Sequence, residues 1–356
     1  MCRNDIIEDM STVKLLDEKT RKRWTAIFVG VVVCIAITCI SIMNIHYDEL
    51  ARYPYKDERS RELIKEYLNK EEIDYIIEYS IAPNVFISFI QADDFNIYHA
   101  TEYKKLSEVM WMESPEHIVE MVEKTRNAMD IDTLARYLEH YTFSDIEAYL
   151  TASDVYSINS LLVEEANSID VCLDDTHTVS TRIPNNLQDL TTEVASKYPV
   201  LVNERVQQPL VDLCSAINRE YEDNNGCGGL FVKSGYTSYN SQESLYNDAE
   251  KQYGGEASYY VSKPGHDEHQ LGLAVDFMVD GITDESFHLT IQYEWLQEHA
   301  WEFGFIQTYD SANTNHAEES YHYRYVGSAV SSYMHEQGIN FETYNNLKKS
   351  TFAHEG

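Results

Sequence analysis

The hydrophobic pattern begins with one long apolar run near the N-terminus. Residues 24–43 read WTAIFVGVVVCIAITCISIM, which is 20 positions without a charge. A helix of about 20 apolar residues is long enough to cross the ~30 Å hydrocarbon core of a bilayer. Basic residues precede the run, and Asp48 and Glu49 follow it. The excess of positive charge before the run predicts a single-pass protein of the cell membrane, with residues 1–23 as a cytoplasmic tail and the rest outside the cell.

A cleaved leader is the alternative interpretation of this run. The apolar core of a signal peptide usually spans about 7–15 residues and is followed by small residues at the cleavage site. This run is longer, and no such site follows it. A lipoprotein-type cleavage at Cys39 would need a small residue at position 38, which is Thr38. An uncleaved anchor is therefore the favoured interpretation.

A region of short helices is predicted after a polar linker at residues 45–58. Over residues 59–165, apolar residues recur at helical spacing in four separate stripes. Ser114 and Pro115 are typical of a helix start, because serine caps the first turn and proline fits within it. The stripes are Leu63, Ile64, Tyr67 and Leu68; Ile118, Val119 and Val122; Leu134, Tyr137 and Leu138; and Ile146, Tyr149 and Leu150, after Ser144. Such stripes indicate a helical core in this membrane-proximal region rather than a binding groove.

The C-terminal half alternates between helical and strand patterns. Residues 166–200 are loop-rich and are predicted to form an extended connector. The domain at residues 201–350 follows, with a helix over 206–221, a strand over about 230–238 and a helix over about 240–253. This order predicts an α+β fold, in which helices flank a small antiparallel sheet.

Two further strands carry polar residues on one face. Apolar residues alternate from Leu271 to Val279, which places Gly272, Ala274 and Asp276 together on the opposite face. Two very small residues beside a carboxylate leave room above this strand. His269 lies at the strand entrance, close enough to turn toward the same space.

The second of these strands begins near His322. Alternation places His322 and Arg324 on one face, and Glu319 precedes His322 by three residues. Two imidazoles and a carboxylate form a three-ligand zinc site with a position open to water. A further carboxylate nearby can act as a general base. His269, Asp276 and His322 are thus candidate zinc ligands, with Glu319 as the base.

Spacing alone allows two interpretations of these residues: a metal site, or histidines that are only surface or hydrogen-bonded residues. Most of the 13 histidines in a chain of this kind are surface or hydrogen-bonded residues, and the sequence contains no HExxH motif. The remaining histidines near these strands, His266, His288 and His316, are not expected to be ligands, because three protein ligands suffice for an open zinc site. The sequence also contains no G-x-S-x-G motif, which argues against serine catalysis.

Charge and cysteine content narrow the function classes. The chain has 60 acidic against 27 basic side chains, a formal net charge of -33. Nucleic-acid binding needs clustered Lys and Arg, so a nucleic-acid partner is not expected. Six cysteines are present, and the three beyond the apolar run do not form a disulfide framework. A single disulfide bond, between Cys214 and Cys227, is possible.

Four blocks of the C-terminal half resemble the VanY-type D-alanyl-D-alanine metallocarboxypeptidases. Residues 269–276 read HQLGLAVD, similar to the H-x-x-G-x-A-x-D zinc motif of that family. Residues 234–242, 262–266 and 319–327 read SGYTSYNSQ, SKPGH and ESYHYRYVG, and each is similar to a further family segment. The helix from Trp295 to Phe305 also fits. The resemblance covers about residues 200–345.

The resemblance implies roles for individual residues. His269, Asp276 and His322 would ligate Zn²⁺, and Glu319 would act as the base. Ser262 and Gln242 would lie near the terminal residue of a peptidoglycan stem peptide, and Tyr321 would replace a family tryptophan as an aromatic wall.

One family residue has no counterpart. The arginine that stabilises the oxyanion in the family corresponds to Thr237, which carries no charge. Arg324, on the face of His322, is a candidate catalytic replacement, and a structural ion pair is its alternative role.

Three functions follow as hypotheses. The first is a membrane-anchored zinc D-alanyl-D-alanine carboxypeptidase that removes the terminal D-Ala of stem peptides. The second is an L,D-carboxypeptidase or an endopeptidase acting on the same polymer. The third is a catalytically impaired wall-binding protein of the same fold. Thr237 motivates the second and third hypotheses, whereas the presence of Glu319 favours an enzyme.

Overall fold

The chain forms two compact units. A computed structural model describes residues 18–43, 48–151 and 153–353, so most of the predicted tail at 1–23 and the first residues of the linker at 45–58 lie outside the described residues. The first unit runs to residue 91 and includes residues 95–101, and the second comprises residues 92–94 and the chain from 102 onward. The division falls inside the range 59–165, which the sequence pattern groups as one region.

The apolar run lies in the first helix, α1 (Glu18–Met43). By length and composition α1 is able to cross a membrane, with a mean hydropathy of 2.7 in its most apolar window. The predicted span at 24–43 falls within it.

Short helices, two of them capped by side chains, follow in the first unit. They are α2 (Glu58–Tyr67), α3 (Lys70–Glu78) and α4 (Pro83–Phe86). Asp57 accepts a hydrogen bond from the Ser60 amide at the start of α2, and Asn69 forms a capping box with Glu72 at the start of α3. Such caps satisfy amide groups that have no partner within the helix. The apolar faces meet in one core, which includes Ile64, Ile73, Ile76, Phe86 and Ile90.

Four short helices open the C-terminal portion of the chain. They are α5 (Ala100–Val109), which begins at the division between the units, α6 (Pro115–Thr125), α7 (Ile131–Leu138) and α8 (Phe143–Leu150). The predicted start of α6 is confirmed, because the Ser114 hydroxyl accepts a hydrogen bond from the His117 amide. The start of α8 differs from the prediction. Thr142 rather than Ser144 caps this helix, because Thr142 forms a capping box with Asp145.

The predicted connector contains no helix among its described residues 166–200. The short strands of this part of the chain are β1 (Leu161–Leu162), β2 (His177–Thr178), β3 (Leu187–Asp189) and β4 (Leu201–Asn203). β1 pairs with β2 in parallel, and β3 pairs with β4 antiparallel.

Helices then surround one four-stranded sheet, as the α+β prediction requires. The remaining elements are α9 (Glu204–Glu220), β5 (Leu230–Ser234), α10 (Tyr239–Tyr253), α11 (Ala257–Tyr260), β6 (Ala274–Val279), α12 (Ile291–His299), β7 (Phe305–Ile306), β8 (His322–Tyr325), α13 (Ser328–Gln337) and α14 (Phe341–Ala353). The strand order is β5-β6-β8-β7, and every neighbouring pair is antiparallel. The fold class predicted from the sequence is confirmed.

The two faces of this sheet have different chemistry. Val275, Phe277 and Tyr323 are each at most 1% exposed and form an apolar face. On the other face Asp276 pairs directly with His322, and Ala274 pairs with Arg324. The small Ala274 side chain leaves room for the large guanidinium opposite it. The polar face predicted from alternation is therefore present.

The predicted strand starts too early. Residues 268–271 form a 3₁₀ helix, and β6 begins only at Ala274. Gly272 ends the 3₁₀ helix in the left-handed region at φ 68°, where a side chain would be strained. A Cβ atom there would also lie 3.0 Å from the Asn203 amide nitrogen. Gly272 is therefore needed for a tight turn. The sequence pattern had indicated instead that its small size leaves space above the strand.

A disulfide joins α9 to the loop before β5. Cys214 and Cys227 are bonded, with their Cα atoms 4.1 Å apart and a sequence separation of 13. Both are 1% exposed. The pair left open by the sequence is therefore formed.

Reduction of this bond should destabilise the second unit. Opening a loop of this length costs about 3 kcal/mol of unfolding free energy in the chain-entropy treatment. Thermal unfolding with and without reductant measures the effect, and the wild type should melt several degrees lower when reduced. Cys172→Ala should retain this sensitivity and Cys214→Ala should lose it. Equal sensitivity of both variants would contradict the assigned pairing.

Candidate metal centre

His269 is held with one ring nitrogen facing the polar side of the sheet. The Asp267 carboxylate accepts a hydrogen bond from the His269 amide at 2.7 Å and thereby caps the 3₁₀ helix. The ring Nδ1–H donates to the Gly235 carbonyl at 2.6 Å. In the neutral ring this bond keeps the proton on Nδ1, so the lone pair of Nε2 is available to a metal ion. Nε2 lies 3.2 Å from Asp276 Oδ1.

His322 is held in the opposite sense. Its Nε2–H donates to Glu268 Oε2 at 3.1 Å, and its Nδ1 lies 3.2 Å from Asp276 Oδ1. The ring is 1% exposed. Each histidine therefore has one nitrogen bonded to a fixed acceptor and the other directed at the same carboxylate oxygen.

Asp276 completes a group that can hold a metal ion. One ligand atom from each of His269, Asp276 and His322 lies within 4.8 Å of the others. The second Asp276 oxygen accepts a hydrogen bond from the Ser234 hydroxyl. Two imidazole nitrogens and one carboxylate oxygen are a donor set typical of catalytic zinc. The arrangement of these side chains fits zinc, because both histidines are already oriented by partners outside the group.

The charges of this group are strongly coupled. Burial lowers the pKa of His269, but the adjacent Asp276 charge outweighs burial and raises it to about 9. Burial raises the pKa of Asp276, but the two histidines hold it well below its usual value. The carboxylate is thus ionised, as a metal ligand must be.

Glu319 lies beside the group without joining it. Its Oε2 is 3.9 Å from His322 Nδ1. Burial raises the pKa of Glu319 to about 7. A carboxyl group with a pKa near neutrality can both accept and return a proton under ordinary conditions. The side chain therefore has the position and the protonation behaviour of a general base.

The predicted substrate-side residues surround the same place. Gln242 Nε2 donates to the Ser262 carbonyl at 2.7 Å, and Ser262 Oγ lies 3.5 Å from the Tyr309 hydroxyl. The Thr237 amide donates to the His269 carbonyl at 3.2 Å. Tyr321, next to His322 in sequence, has its pKa raised by burial and by the nearby Glu319 charge.

Arg324 has a different role from the catalytic one considered for it. Its side chain is 0% exposed. Nη1 donates to Glu268 at 2.7 Å, and Nη2 donates to the carbonyls of Ile169 and Val171 at 3.2 and 2.6 Å. A guanidinium engaged in this way cannot reach an oxyanion in the open part of the site. The catalytic assignment of Arg324 is therefore corrected to its alternative, a structural ion pair.

Two residues of the site escaped the sequence reasoning. Glu268 contacts both His322 and Arg324, and its position directly before a candidate ligand was its only sequence signal. The Tyr309 ring packs against the His322 ring at a tilt of 31°, with centroids 4.7 Å apart, and no sequence pattern indicated it. Both are buried within the site.

The other histidines stay outside the group, as expected. His266 donates from Nδ1 to the Asp174 carbonyl at 2.7 Å. His316 stacks on Tyr309 with centroids 3.9 Å apart. His288 lies in a separate cleft near Tyr293.

Comparison with known proteins finds similarity in the part of the chain that carries this site. The family described as VanY, D-alanyl-D-alanine carboxypeptidase, matches residues 202–328. A D-alanyl-D-alanine carboxypeptidase of Enterococcus faecalis (strain ATCC 700802 / V583) is 35% identical over 131 residues, which is 33% of this chain and 48% of that protein. The chain thus spans about half the length of the curated relatives that it matches.

Solved structures of related peptidases align with the same part of the chain. VanYB in complex with D-alanine-D-alanine is 27% identical, with a TM-score of 0.42, over 50% of this chain and 97% of that chain. The LD-carboxypeptidase LdcB is 24% identical, with a TM-score of 0.47, over 52% of this chain and 90% of that chain.

The sequence match at residues 202–328 contains the three candidate ligands and Glu319. This segment of the chain is thus similar to the VanY-type D-alanyl-D-alanine carboxypeptidase family.

Proposed function

We propose that this protein is a membrane-anchored zinc D-alanyl-D-alanine carboxypeptidase that removes the terminal D-Ala from peptidoglycan stem peptides. The observation that carries the proposal is the convergence of His269, Asp276 and His322 beside the half-buried Glu319, which is not one of the three. The family match, and the similarity to a D-alanyl-D-alanine carboxypeptidase of Enterococcus faecalis, support the choice of bond.

The three-residue group would hold the zinc ion, and Glu319 would handle the proton. When bound, zinc supplies Lewis acidity toward the scissile carbonyl. Glu319 accepts a proton from the attacking water and returns it to the amine of the departing D-Ala, so no proton has to come from bulk solvent. Gln242 orients the Ser262 backbone through their hydrogen bond, which places the serine hydroxyl at the side of the site where a terminal residue would lie.

The N-terminal helix would tether the enzyme to the cell membrane. The basic residues before α1 favour a cytoplasmic N-terminus, and the catalytic domain would then lie outside the cell with its polymeric substrate. The disulfide between Cys214 and Cys227 supports this orientation, because such bonds persist in oxidising compartments.

We propose that Lys233 stabilises the oxyanion, the role of the family arginine that Thr237 replaces. A β-bulge falls between Val232 and Ser234, and bulges near active sites can redirect a side chain. Lys233 Nζ lies 5.5 Å from the centroid of the Tyr321 ring and 2.5 Å from Asp284. The following residue, Ser234, bonds to the ligand Asp276. A flexible, partly exposed ammonium in this position can leave Asp284 and approach developing negative charge.

Zinc content tests the ligand assignment directly. The purified full-length protein should retain about one zinc ion per chain after dialysis, measured by elemental analysis. His269→Ala and His322→Ala each remove one of three ligands and should lose most of the metal. His288→Ala is the matched control and should keep it. A normal zinc content in His269→Ala, or an equal loss in His288→Ala, would contradict the assignment.

Product masses test the reaction and the base. The zinc-loaded protein should remove one D-Ala from a stem pentapeptide and leave the tetrapeptide intact. Glu319→Gln should keep zinc but lower kcat by at least about 10²-fold, because a general base contributes roughly that much or more. Cleavage of the tetrapeptide alone would favour the L,D-carboxypeptidase alternative. Zinc binding without any cleavage would favour the impaired wall-binding protein, and full activity of Glu319→Gln would refute the base.

A rescue experiment tests Lys233. Lys233→Met should lower kcat for the pentapeptide by about 10²-fold, the usual cost of losing one oxyanion donor. Adding Thr237→Arg to that variant should recover about tenfold, because it restores the family's cation. Lys197→Met is a matched control, since Lys197 also pairs with an aspartate and lies over a ring. Unchanged kcat in Lys233→Met would exclude the lysine from the reaction.

A further inference from the structure

A buried chain of charged groups connects one candidate ligand to the connector that precedes the family-matched segment. We propose that Glu268 and Arg324 are positioning residues for His322. We also propose that the connector at residues 166–200 supports the metal centre through hydrogen bonds to the residues behind its ligands. The inference rests on the proposed function for its zinc ion. It adds residues that lie outside the ligand set, and a segment that lies outside residues 202–328.

Glu268 sets which nitrogen of His322 faces the metal site. Its carboxylate is 1% exposed and uses both oxygens. Oε2 accepts the proton of His322 Nε2 at 3.1 Å, and Oε1 accepts from Arg324 Nη1 at 2.7 Å. With Nε2 occupied, only Nδ1 is available to a metal, and Nδ1 is the nitrogen that lies near Asp276. A carboxylate behind a ligating histidine fixes its tautomer and raises its basicity.

Arg324 keeps the Glu268 charge in the interior. An ionised carboxylate at this depth requires a partner of opposite charge. Arg324 supplies that partner, and its own second amino group needs acceptors in turn. Those acceptors are the carbonyls of Ile169 and Val171, at 3.2 and 2.6 Å. The chain of contacts therefore runs from His322 through two charged side chains to the backbone of the connector.

The connector also holds the loop that carries His269. Gln270 Nε2 donates to the carbonyls of Ser180 and Arg182, at 2.7 and 3.1 Å, and Gln270 is 0% exposed. The Thr178 hydroxyl donates to the Gly265 carbonyl at 3.0 Å. The loop that carries His269 and the charged pair behind His322 therefore both contact residues 169–182.

These contacts distinguish positioning from catalysis. Glu268 and Arg324 are at most 1% exposed and both belong to the chain of contacts behind His322, so we expect them to act on the substrate through His322. Their loss should weaken zinc binding by about 10–100-fold, as is typical for partners behind a metal ligand. It should change KM for the peptide little once zinc is saturating.

Zinc affinity of the full-length protein tests this inference. Competition with a chromophoric chelator should give a zinc Kd about 10–100-fold weaker for Glu268→Gln than for the wild type. The cobalt-substituted variant should also show an altered visible spectrum. Glu336→Gln, on the exposed surface of α13, is the matched control and should bind zinc as the wild type does. Arg324→Lys should weaken zinc less than Arg324→Met, because a lysine keeps the charge but cannot span Glu268 and two carbonyls.

A second measurement needs no variant. Nitrogen-15 NMR of the histidine rings in the zinc-loaded wild type should show His322 protonated at Nε2 and bonded to metal through Nδ1. The inference is overturned if His322 binds zinc through Nε2, or if Glu268→Gln folds and binds zinc as tightly as the Glu336→Gln control. Neither measurement uses peptide hydrolysis. A failure of the proposed activity can therefore be distinguished from a failure of this inference.

Discussion

The pairing register between β6 and β8 is the constraint on which the site depends. Asp276 lies directly opposite His322 in this antiparallel pair. Side chains of opposite residues stand about 4.5–5.5 Å apart at Cβ, which lets both reach one ion. A slip of one residue would turn His322 to the apolar face, where Val275 and Phe277 pack. The same register places Ala274 opposite Arg324 and so makes room for the guanidinium that supports the site from behind.

Burial makes this arrangement demanding. Three ionisable side chains, His322, Glu268 and Arg324, are at most 1% exposed, and the side chain of Asp276 beside them is 15% exposed. Removing one partner from such a set leaves an uncompensated buried charge, which costs about 3–5 kcal/mol. Each member has a neighbour of opposite charge, and the chain of contacts ends at the connector's carbonyl groups, while Arg324 Nε has no hydrogen-bond partner among the described residues. A metal ion bound by this group would add positive charge beside Asp276 and reinforce the same order.

Much of this could be predicted from sequence, and the missing parts have physical reasons. Alternation along β6 and β8 assigned Asp276 and His322 to one face, because a strand repeats every two residues whatever surrounds it. The motif identified the same two residues and His269. The hydrogen bonds that hold the Arg324 side chain could not be predicted. Their acceptors are backbone carbonyls about 150 positions earlier, and a carbonyl has no sequence signature. Gly272 was misjudged because the turn that it permits interrupts the alternation it appeared to continue.

A crystal structure of the zinc-loaded protein, with anomalous data at the zinc edge, tests the central claim most directly. We expect one anomalous peak, bound by His269 Nε2, Asp276 Oδ1 and His322 Nδ1, with Glu319 near the ion but not coordinated to it. A peak at another set of side chains, or coordination of zinc by Glu319 in place of one of the three, would contradict the account.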